Sequence, residues 1–195
     1  GQVKPGYNAQ ISTDKQIIIT YSIHQNPTDT LTLKPHMESY KQELGFMPKE
    51  LTADAGYGSE ENYAFMEENT MDAFVKYNYF DQEQQNGGQS KGDFHADTLY
   101  YNKERNCYYC PMGQAMTFIG TKEDITESGY KRTLSRYQAQ NCTNCPLRGK
   151  CHKAKGNRII EVSHRLNELR AKARELLLSD KGIAHRKQRP VDVEP

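Results

Sequence analysis

The sequence predicts an α/β fold in which a mixed sheet is flanked by helices and interrupted by a small inserted module. Two observations lead to this prediction. Strand-like and helix-like patterns alternate through the first 80 residues, and five cysteines cluster in a later, tyrosine-rich stretch. Such alternation is typical of a sheet covered by helices, and closely spaced cysteine pairs are typical of a metal-stabilised module.

The N-terminal elements follow from hydrophobic periodicity and turn residues. The stretch 17–23 is β-branched and apolar, as a buried strand is, and Asp14 and Lys15 form the turn before it. Gly45 is a suitable C-terminal stop for a helix, and Ser59 a suitable N-cap. In chain order we predict strands at 7–13 and 17–23, a helix over 31–44, a strand at 51–55, a helix from Ser59 and a strand at 71–77.

The chain then changes character twice. Residues 80–98 are largely polar and glycine-rich, which predicts a flexible linker after a first core segment at 1–79, with an ordered polar loop as the alternative. Residues 99–157 hold the cysteines and form the predicted insertion. Residues 158–195 are expected to return to the core through a helix over 163–178, whose leucines form an apolar stripe and whose other face is rich in arginine.

Composition excludes some classes and favours one kind of partner. Mean hydropathy is −0.92 and no apolar run approaches the roughly 20 residues that span a bilayer, so we expect no membrane segment. Residues 1–100 carry 7 Lys and no Arg against 15 acids, whereas residues 101–195 carry 19 Lys and Arg against 10 acids. This asymmetry favours a polyanionic partner, with a solvated basic face as the alternative. The chain opens without Met or a secretory leader, and we interpret it as an excerpt of a longer protein.

Five cysteines lie within 45 residues, and the sequence carries no export signal that would favour disulfides. Cys107 and Cys110 form one Cys-x-x-Cys pair and Cys142 and Cys145 another, with 31 residues between the pairs. Two such pairs can hold a tetrahedral zinc ion that supports folding, because four thiolates leave no open position for water. Spacing alone leaves Cys151 spare. Free cysteines in a small core, or an iron–sulfur cluster, are the alternatives.

Two acidic residues are candidates for a catalytic metal site. Asp54 follows the short apolar stretch 50–53 and precedes Ala55-Gly-Tyr-Gly58, so a strand end would hold its carboxylate on a rigid platform. Glu194 comes 140 residues later in a basic stretch. Two-metal phosphoryl transfer needs several acidic oxygens around ions about 4 Å apart. Alternatively, Asp54 is a turn former and Glu194 is a solvated acid in a helix that starts after Pro190.

Basic side chains near the C-terminus are candidates for contacts with DNA phosphates. They lie in the segment 185–189 and on the arginine face of the helix at 163–178. A solvated helix face is again the alternative, and no base-reading module is recognisable. The candidates are Arg170, Arg174, Arg186, Lys187 and Arg189.

Several blocks of the sequence resemble DDE transposases of bacterial insertion sequences. Ala53–Ser59 (ADAGYGS) is similar to the block around the second catalytic aspartate of that family, and Arg189–Pro195 (RPVDVEP) to the block around the catalytic glutamate. Gly6–Gln10 (GYNAQ) matches the strand after the first catalytic aspartate. The cysteine-rich insertion of one branch is similar to Cys110-Pro111-x-Gly113, Cys142-x-x-Cys145-Pro146-Leu-Arg148 and Cys151.

The resemblance implies an RNase H-like core that is interrupted after its fourth visible strand and resumes in the helix carrying Glu194. It implies Asp54 and Glu194 as ligands of catalytic Mg²⁺ or Mn²⁺, and hydrolysis and strand transfer at transposon ends as the chemistry. For structural zinc, the resemblance favours a different set of four cysteines from the set that the spacing favours. Cys107 is the alternative ligand. We also expect DNA as the partner and the bacterial cytoplasm as the location. The full-length protein could form a homo-oligomer. The zinc set that the resemblance favours is Cys110, Cys142, Cys145 and Cys151.

One departure from the family limits the activity expected of the chain. The first catalytic aspartate of the family lies on a strand that would precede Gly6, and Asp14 and Asp29 follow later elements, so neither replaces it. We therefore expect this fragment to be catalytically inactive by itself. The rival hypothesis is a non-catalytic zinc-binding module that binds nucleic acid or protein, and an inactive relic of a mobile element is a third.

Overall fold

The computed structural model describes residues 6–85 and 92–193, and the chain divides into two compact units. One unit comprises Gly1–Phe80 and Arg165–Pro195 of the sequence, and the other comprises Asp81–His164. Each unit has a hydrophobic core of its own. The second unit is therefore inserted, in sequence, between two parts of the first.

The first unit combines strands with helices in the order that the sequence predicts, and its mixed α/β character is confirmed. Ser59 caps the second helix by accepting a hydrogen bond from the Asn62 N–H at 3.2 Å, and Gly45 ends the first helix with φ of 84°. The elements are β1 (Asn8–Asp14), β2 (Ile17–His24), α1 (Leu33–Leu44), β3 (Glu50–Ala53), α2 (Glu60–Glu68), β4 (Asp72–Val75), nearly all of α4 (His164–Leu178) and α5 (Asp180–Val193).

The strands of the first unit form two separate two-stranded sheets within the described residues, and this differs from the single mixed sheet that the sequence predicts. β1 and β2 form an antiparallel hairpin, and its turn residues Lys15 and Gln16 both have positive φ. β3 and β4 run parallel. β1 and β3 each pair with one strand in the described part of the chain, so the two pairs are not joined, and residues of both strands line one groove.

One hydrophobic core holds the first unit together. Met66 of α2, Val75 of β4 and Leu177 of α4 are completely buried in it. The stripe that α4 contributes repeats at four-residue intervals, as Leu169, Ala173 and Leu177, which places the three side chains on one face of the helix. The predicted apolar stripe of this helix is therefore the part that anchors it.

α5 begins at Asp180 and runs through Pro190, so it starts earlier than a helix placed after that proline would. Proline lacks an N–H and so removes one helical hydrogen bond. Glycine at 182 allows α5 to approach the end of α4, because a Cβ there would lie 2.1 Å from the backbone oxygen of Leu176. Glu194 follows the last described residue of α5 and lies outside the described residues.

The second unit is an antiparallel sheet in which neighbours in sequence are neighbours in space. Its last strand lies in the segment that the sequence assigns to the return into the core. That strand pairs with the one before it, from Ser135 opposite Val162 to Gln138 opposite Ile159, because Ile160 and Val162 are buried in the core of this unit. The strands are β5 (Tyr101–Asn102), β6 (Cys107–Tyr109), β7 (Ala115–Ile125), β8 (Lys131–Ala139) and β9 (Ile159–Val162).

The stretch 80–98, predicted to be a flexible linker, contains regular structure at both ends. Its first residues form the helix α3 (Phe80–Gln85), and residues 96–98 form a short 3-10 helix. The Phe80 ring is 1% exposed and belongs to the core of the first unit, so that end of the stretch is fixed by burial. Residues 86–91 lie outside the described residues. No helix in the described part of the chain is long and apolar enough to cross a membrane.

We predict that Leu177→Ala lowers the stability of the first unit by about 2–5 kcal/mol, since it leaves a cavity in a closed core. The neighbouring Leu178 is 41% exposed, so Leu178→Ala provides a matched control with a much smaller loss. Urea unfolding followed by helical circular dichroism measures both variants. Equal losses for the two leucines would contradict the packing described for α4.

Candidate functional site

Asp54 directly follows β3, in an extended conformation (φ −72°, ψ 170°), and a 3-10 turn at Ala55–Tyr57 comes next. Its side chain is 52% exposed. Gly58 closes the turn against the end of β4, where a Cβ would lie 2.4 Å from the Lys76 carbonyl oxygen. Only glycine allows this close approach, so the loop that follows Asp54 is held against the parallel strand pair. The strand-end platform predicted for Asp54 is present.

Hydrogen bonds fasten the same loop to β1 and to the segment before α1. The Tyr57 hydroxyl donates to Gln10 Oε1, and Gln10 Nε2 donates to Asp29 Oδ1 at 3.2 Å. Thr30 Oγ1 donates to the Gly56 carbonyl at 2.8 Å. Burial first, and then the Asp29 carboxylate, raise the pKa of Tyr57 to about 12, so the phenol keeps its proton at neutral pH.

Sequence reasoning missed this network as a support for Asp54. Gln10 is 7% exposed, and Asp29 accepts a second hydrogen bond from Asn8 Nδ2 at 2.9 Å. The available signal was the block Gly6–Gln10, which resembles the transposase family and contains both amide side chains. Asp29 itself carried no recognisable motif.

Basic side chains of α5 contact one acidic side chain at the start of β3 and another just after its end. Lys181 and His185 both bind the Glu50 carboxylate, His185 through Nε2 at 2.9 Å, and Arg189 Nη2 donates to Asp54 Oδ2 at 2.6 Å. The three basic residues are spaced by four and therefore share one face of the helix. The hydrogen bond from Lys181 lowers the pKa of Glu50, which keeps this carboxylate charged in acid.

The contact between Arg189 and Asp54 joins two residues that sequence analysis assigns to different tasks. Asp54 is a predicted metal ligand and Arg189 a predicted contact for DNA. In the structure, the Asp54 carboxylate is paired with the Arg189 guanidinium. Within the described ranges, no group of three or more His, Cys, Asp or Glu side chains is placed to hold a metal ion. Glu194, the other predicted ligand, lies outside those ranges.

A cavity of about 670 Å³ opens beside this site. Strand residues 10–14 and 50–53 line two of its walls, α1 contributes Leu33, Met37 and the buried His36, and α5 contributes Arg189 and Asp192. The cavity is thus bordered by the two strands that have no described strand between them.

The remaining basic candidates fall into two groups. The Arg170 guanidinium lies over the Tyr77 ring at 5.9 Å and that of Arg186 over the Phe80 ring at 5.4 Å, so both also contribute to packing. Arg174 and Lys187 are exposed on α4 and α5.

The four cysteines favoured by the resemblance line one small cavity of about 20 Å³ in the second unit, together with His152. Cys107, favoured by spacing, is buried in β6 and is not one of the lining residues. All five thiols are free. The cavity has room for a single small ion or water.

Polar groups are directed at the sulfurs of this cavity. Arg158 Nη1 lies 3.0 Å from Cys151 Sγ, and the Arg158 N–H lies 3.4 Å from Cys142 Sγ. Both ring nitrogens of His152 are buried and have no hydrogen-bond partner in the described part of the chain. In the part of the chain that the structure describes, these cysteines and His152 do not form a group of three or more side chains placed to hold a metal ion.

Comparison with known proteins then identifies a family for the C-terminal part of the chain. Residues 109–195 match the family model described as Transposase DDE domain. This segment is similar to the transposase DDE family. The match covers slightly under half of the chain and includes the cavity cysteines and α5 but not Asp54, and it confirms the expected DDE-type transposase fragment. No curated protein and no solved structure matches the chain.

The ion contacts of Glu50 predict a pH dependence for the stability of the first unit. Because the folded pKa of Glu50 is below its ordinary value of 4.5, the contacts stabilise the first unit above that pH and are lost as the pH falls through the folded pKa. Glu50→Gln should therefore flatten the loss of stability between about pH 5 and pH 3. Denaturant unfolding at several pH values tests this, with the exposed Glu38→Gln of α1 as the control. An unchanged slope for Glu50→Gln would show that the pairing with α5 is not formed.

Proposed function

We propose that this chain is part of the RNase H-like catalytic core of a DDE transposase, in which Asp54 and Glu194 hold Mg²⁺ or Mn²⁺ for DNA strand cleavage and strand transfer. The observation that carries the proposal is the course of α5. Its basic residues meet Glu50 at the start of β3 and then Asp54 just after its end. Glu194 follows Arg189 by five residues in the sequence and lies outside the described residues.

Metal-dependent DNA cleavage requires a rigid, exposed carboxylate, and the Asp54 side chain has these properties. Tyr57 and Gly58 fix the loop behind it, so the carboxylate can bind a cation with little loss of conformational freedom. When bound, a pair of divalent ions supplies stabilisation of the attacking and leaving oxygens of a phosphodiester. The protein's own part is to hold the acidic oxygens and to orient the DNA strand.

We also propose that the first acidic residue of the family, expected on a strand before Gly6, belongs in the groove between β1 and β3. An extended segment there could hydrogen-bond to the free edges of both strands and join the two small sheets into one. The carboxylate it carried would then lie beside β3, the strand that leads to Asp54. The fragment without that acid is proposed to be inactive in cleavage.

DNA is the proposed partner, at transposon ends and at the target. The exposed Arg174 and Lys187 are best placed for phosphate contacts, whereas Arg170 and Arg186 combine such contacts with packing on aromatic rings. Contacts of this kind give affinity that falls steeply with salt and do not read sequence. A homo-oligomer of the full-length protein and a bacterial cytoplasmic location remain parts of the proposal.

For the second unit we propose a structural zinc ion held by Cys110, Cys142, Cys145 and Cys151. The shared cavity and the donors aimed at two of the sulfurs support this set over one that contains Cys107. Four sulfur ligands close the coordination shell, so the ion would stabilise the fold of this unit.

The zinc proposal separates two neighbouring cysteines. We expect about one zinc ion per chain in the unaltered protein and in Cys107→Ser, and loss of zinc with a lower melting temperature in Cys110→Ser. Elemental analysis of the purified variants measures the metal, and a chelator titration measures its effect on melting. Retention of zinc by Cys110→Ser would refute the proposed ligand set.

The catalytic proposal is tested in the intact transposase that contains this sequence. Asp54→Asn and Glu194→Gln should each lower the rate of strand cleavage of transposon-end DNA by a factor of at least about 10². The exposed Asp72→Asn, on the adjacent strand β4, is the matched control and should retain activity. Full activity of Asp54→Asn would favour the rival function, a zinc-binding module without catalysis. Robust Mg²⁺-dependent cleavage by the present fragment alone would contradict its proposed inactivity.

A further inference from the structure

The turn that follows β4 holds a tyrosine in a backbone conformation that tyrosine rarely adopts. The Phe80 N–H donates to the Tyr77 carbonyl at 3.0 Å and closes the turn, and its third residue, Tyr79, has φ of 77°. This position ordinarily takes glycine or asparagine, because a larger side chain is crowded by the backbone at positive φ. Tyr79 is 46% exposed, so a place in the core does not explain the strain. Strained residues of this kind cluster at ligand-binding sites.

Two guanidinium groups flank this turn. Arg186 of α5 covers the ring of Phe80, the residue after Tyr79, at 5.4 Å, and Arg170 of α4 lies over the Tyr77 ring at 5.9 Å. The Arg186 side chain is partly exposed, and its Nε makes no hydrogen bond within the described ranges. A donor without a partner costs free energy, and an oxyanion such as phosphate is the ligand that a guanidinium pairs with best.

The turn also lies at the same edge of the sheet as the candidate site. β3 and β4 run parallel, so their carboxyl ends share one edge. There Gly58, in the loop that follows Asp54, packs so closely on the turn that a Cβ would lie 2.7 Å from the Cα of Tyr77. A strained, exposed aromatic residue and a guanidinium are therefore placed beside the loop of the candidate acid.

We infer that Tyr79 and Arg186 form a nucleotide-binding subsite, in which the Tyr79 ring stacks on an unpaired DNA base and Arg186 binds a neighbouring phosphate. The inference rests on the proposed function, because it takes DNA as the partner. An aromatic face and a cation together match the base and the backbone of one nucleotide. A base inside a duplex is already stacked on its neighbours, so the subsite prefers single-stranded DNA to duplex. It does not read base identity, because every base has a π-face.

The experiment measures the binding of a fluorescein-labelled oligothymidine to the chain by fluorescence anisotropy. Tyr79→Gly removes the ring and suits the positive φ, so circular dichroism should show a melting temperature no lower than that of the unaltered chain. Its dissociation constant should rise by about 5- to 150-fold, as expected for one lost base stack. Tyr21→Ala removes a 67% exposed ring from β2 and is the control, with unchanged affinity.

Two further variants separate stacking from charge. Tyr79→Trp introduces a single tryptophan into a chain that has none, and oligothymidine should quench its emission through stacking. Arg186→Gln, once circular dichroism has shown that it is folded, should weaken binding and lower the slope of log affinity against log salt by roughly 0.7. Tyr79→Gly should leave that slope unchanged, because stacking releases no counterions.

Unchanged affinity of Tyr79→Gly, or unchanged emission of Tyr79→Trp at saturating oligothymidine, would overturn the subsite. An unchanged salt slope in Arg186→Gln would overturn the role of Arg186 in it. In each of these cases, binding of DNA by the unaltered chain would leave the proposed function in place. If the unaltered chain binds neither oligothymidine nor duplex DNA, the proposed partner is wrong and the subsite fails with it.

Discussion

The charge pairing between α5 and β3 is the constraint on which the candidate site depends. β3 is only four residues long, and it pairs with a strand of the same length, so it offers little surface by which a helix could be aligned. Glu50 and Asp54 provide that alignment because they meet basic residues spaced by four on α5. Each contact is partly exposed and individually weak, but together they select one rotation of the helix.

The chain has a modest hydrophobic content, and the two units build their cores from different kinds of side chain. The first buries aliphatic and aromatic side chains between helices and short strands, with Met66, Val75 and Leu177 at the centre. The second buries tyrosines, and Tyr137 is satisfied through hydrogen bonds of 2.7 Å to Asn106 and to His164. The core of the second unit also includes Cys142, with Cys110 packed against it.

Local patterns in the sequence were sufficient to place most elements of the first unit. The run 17–23 is β-branched and becomes β2, and Ser59 and Gly45 act as the caps expected of them, since these signals act over a few residues. Pairing over long distances was not accessible. Nothing in the composition of 158–162 indicates that this strand pairs with β8, and nothing near Arg189 indicates that its partner lies 135 residues away.

The cysteines show the same limit at a smaller scale. The spacing of Cys107 and Cys110 predicts both residues equally well as ligands, because distance along the sequence does not show where a side chain points. In the structure Cys107 is part of β6 and is buried in the sheet, whereas Cys110 follows the strand and lines the cavity. The resemblance to a family names Cys110 rather than Cys107, and this ligand set stays a prediction.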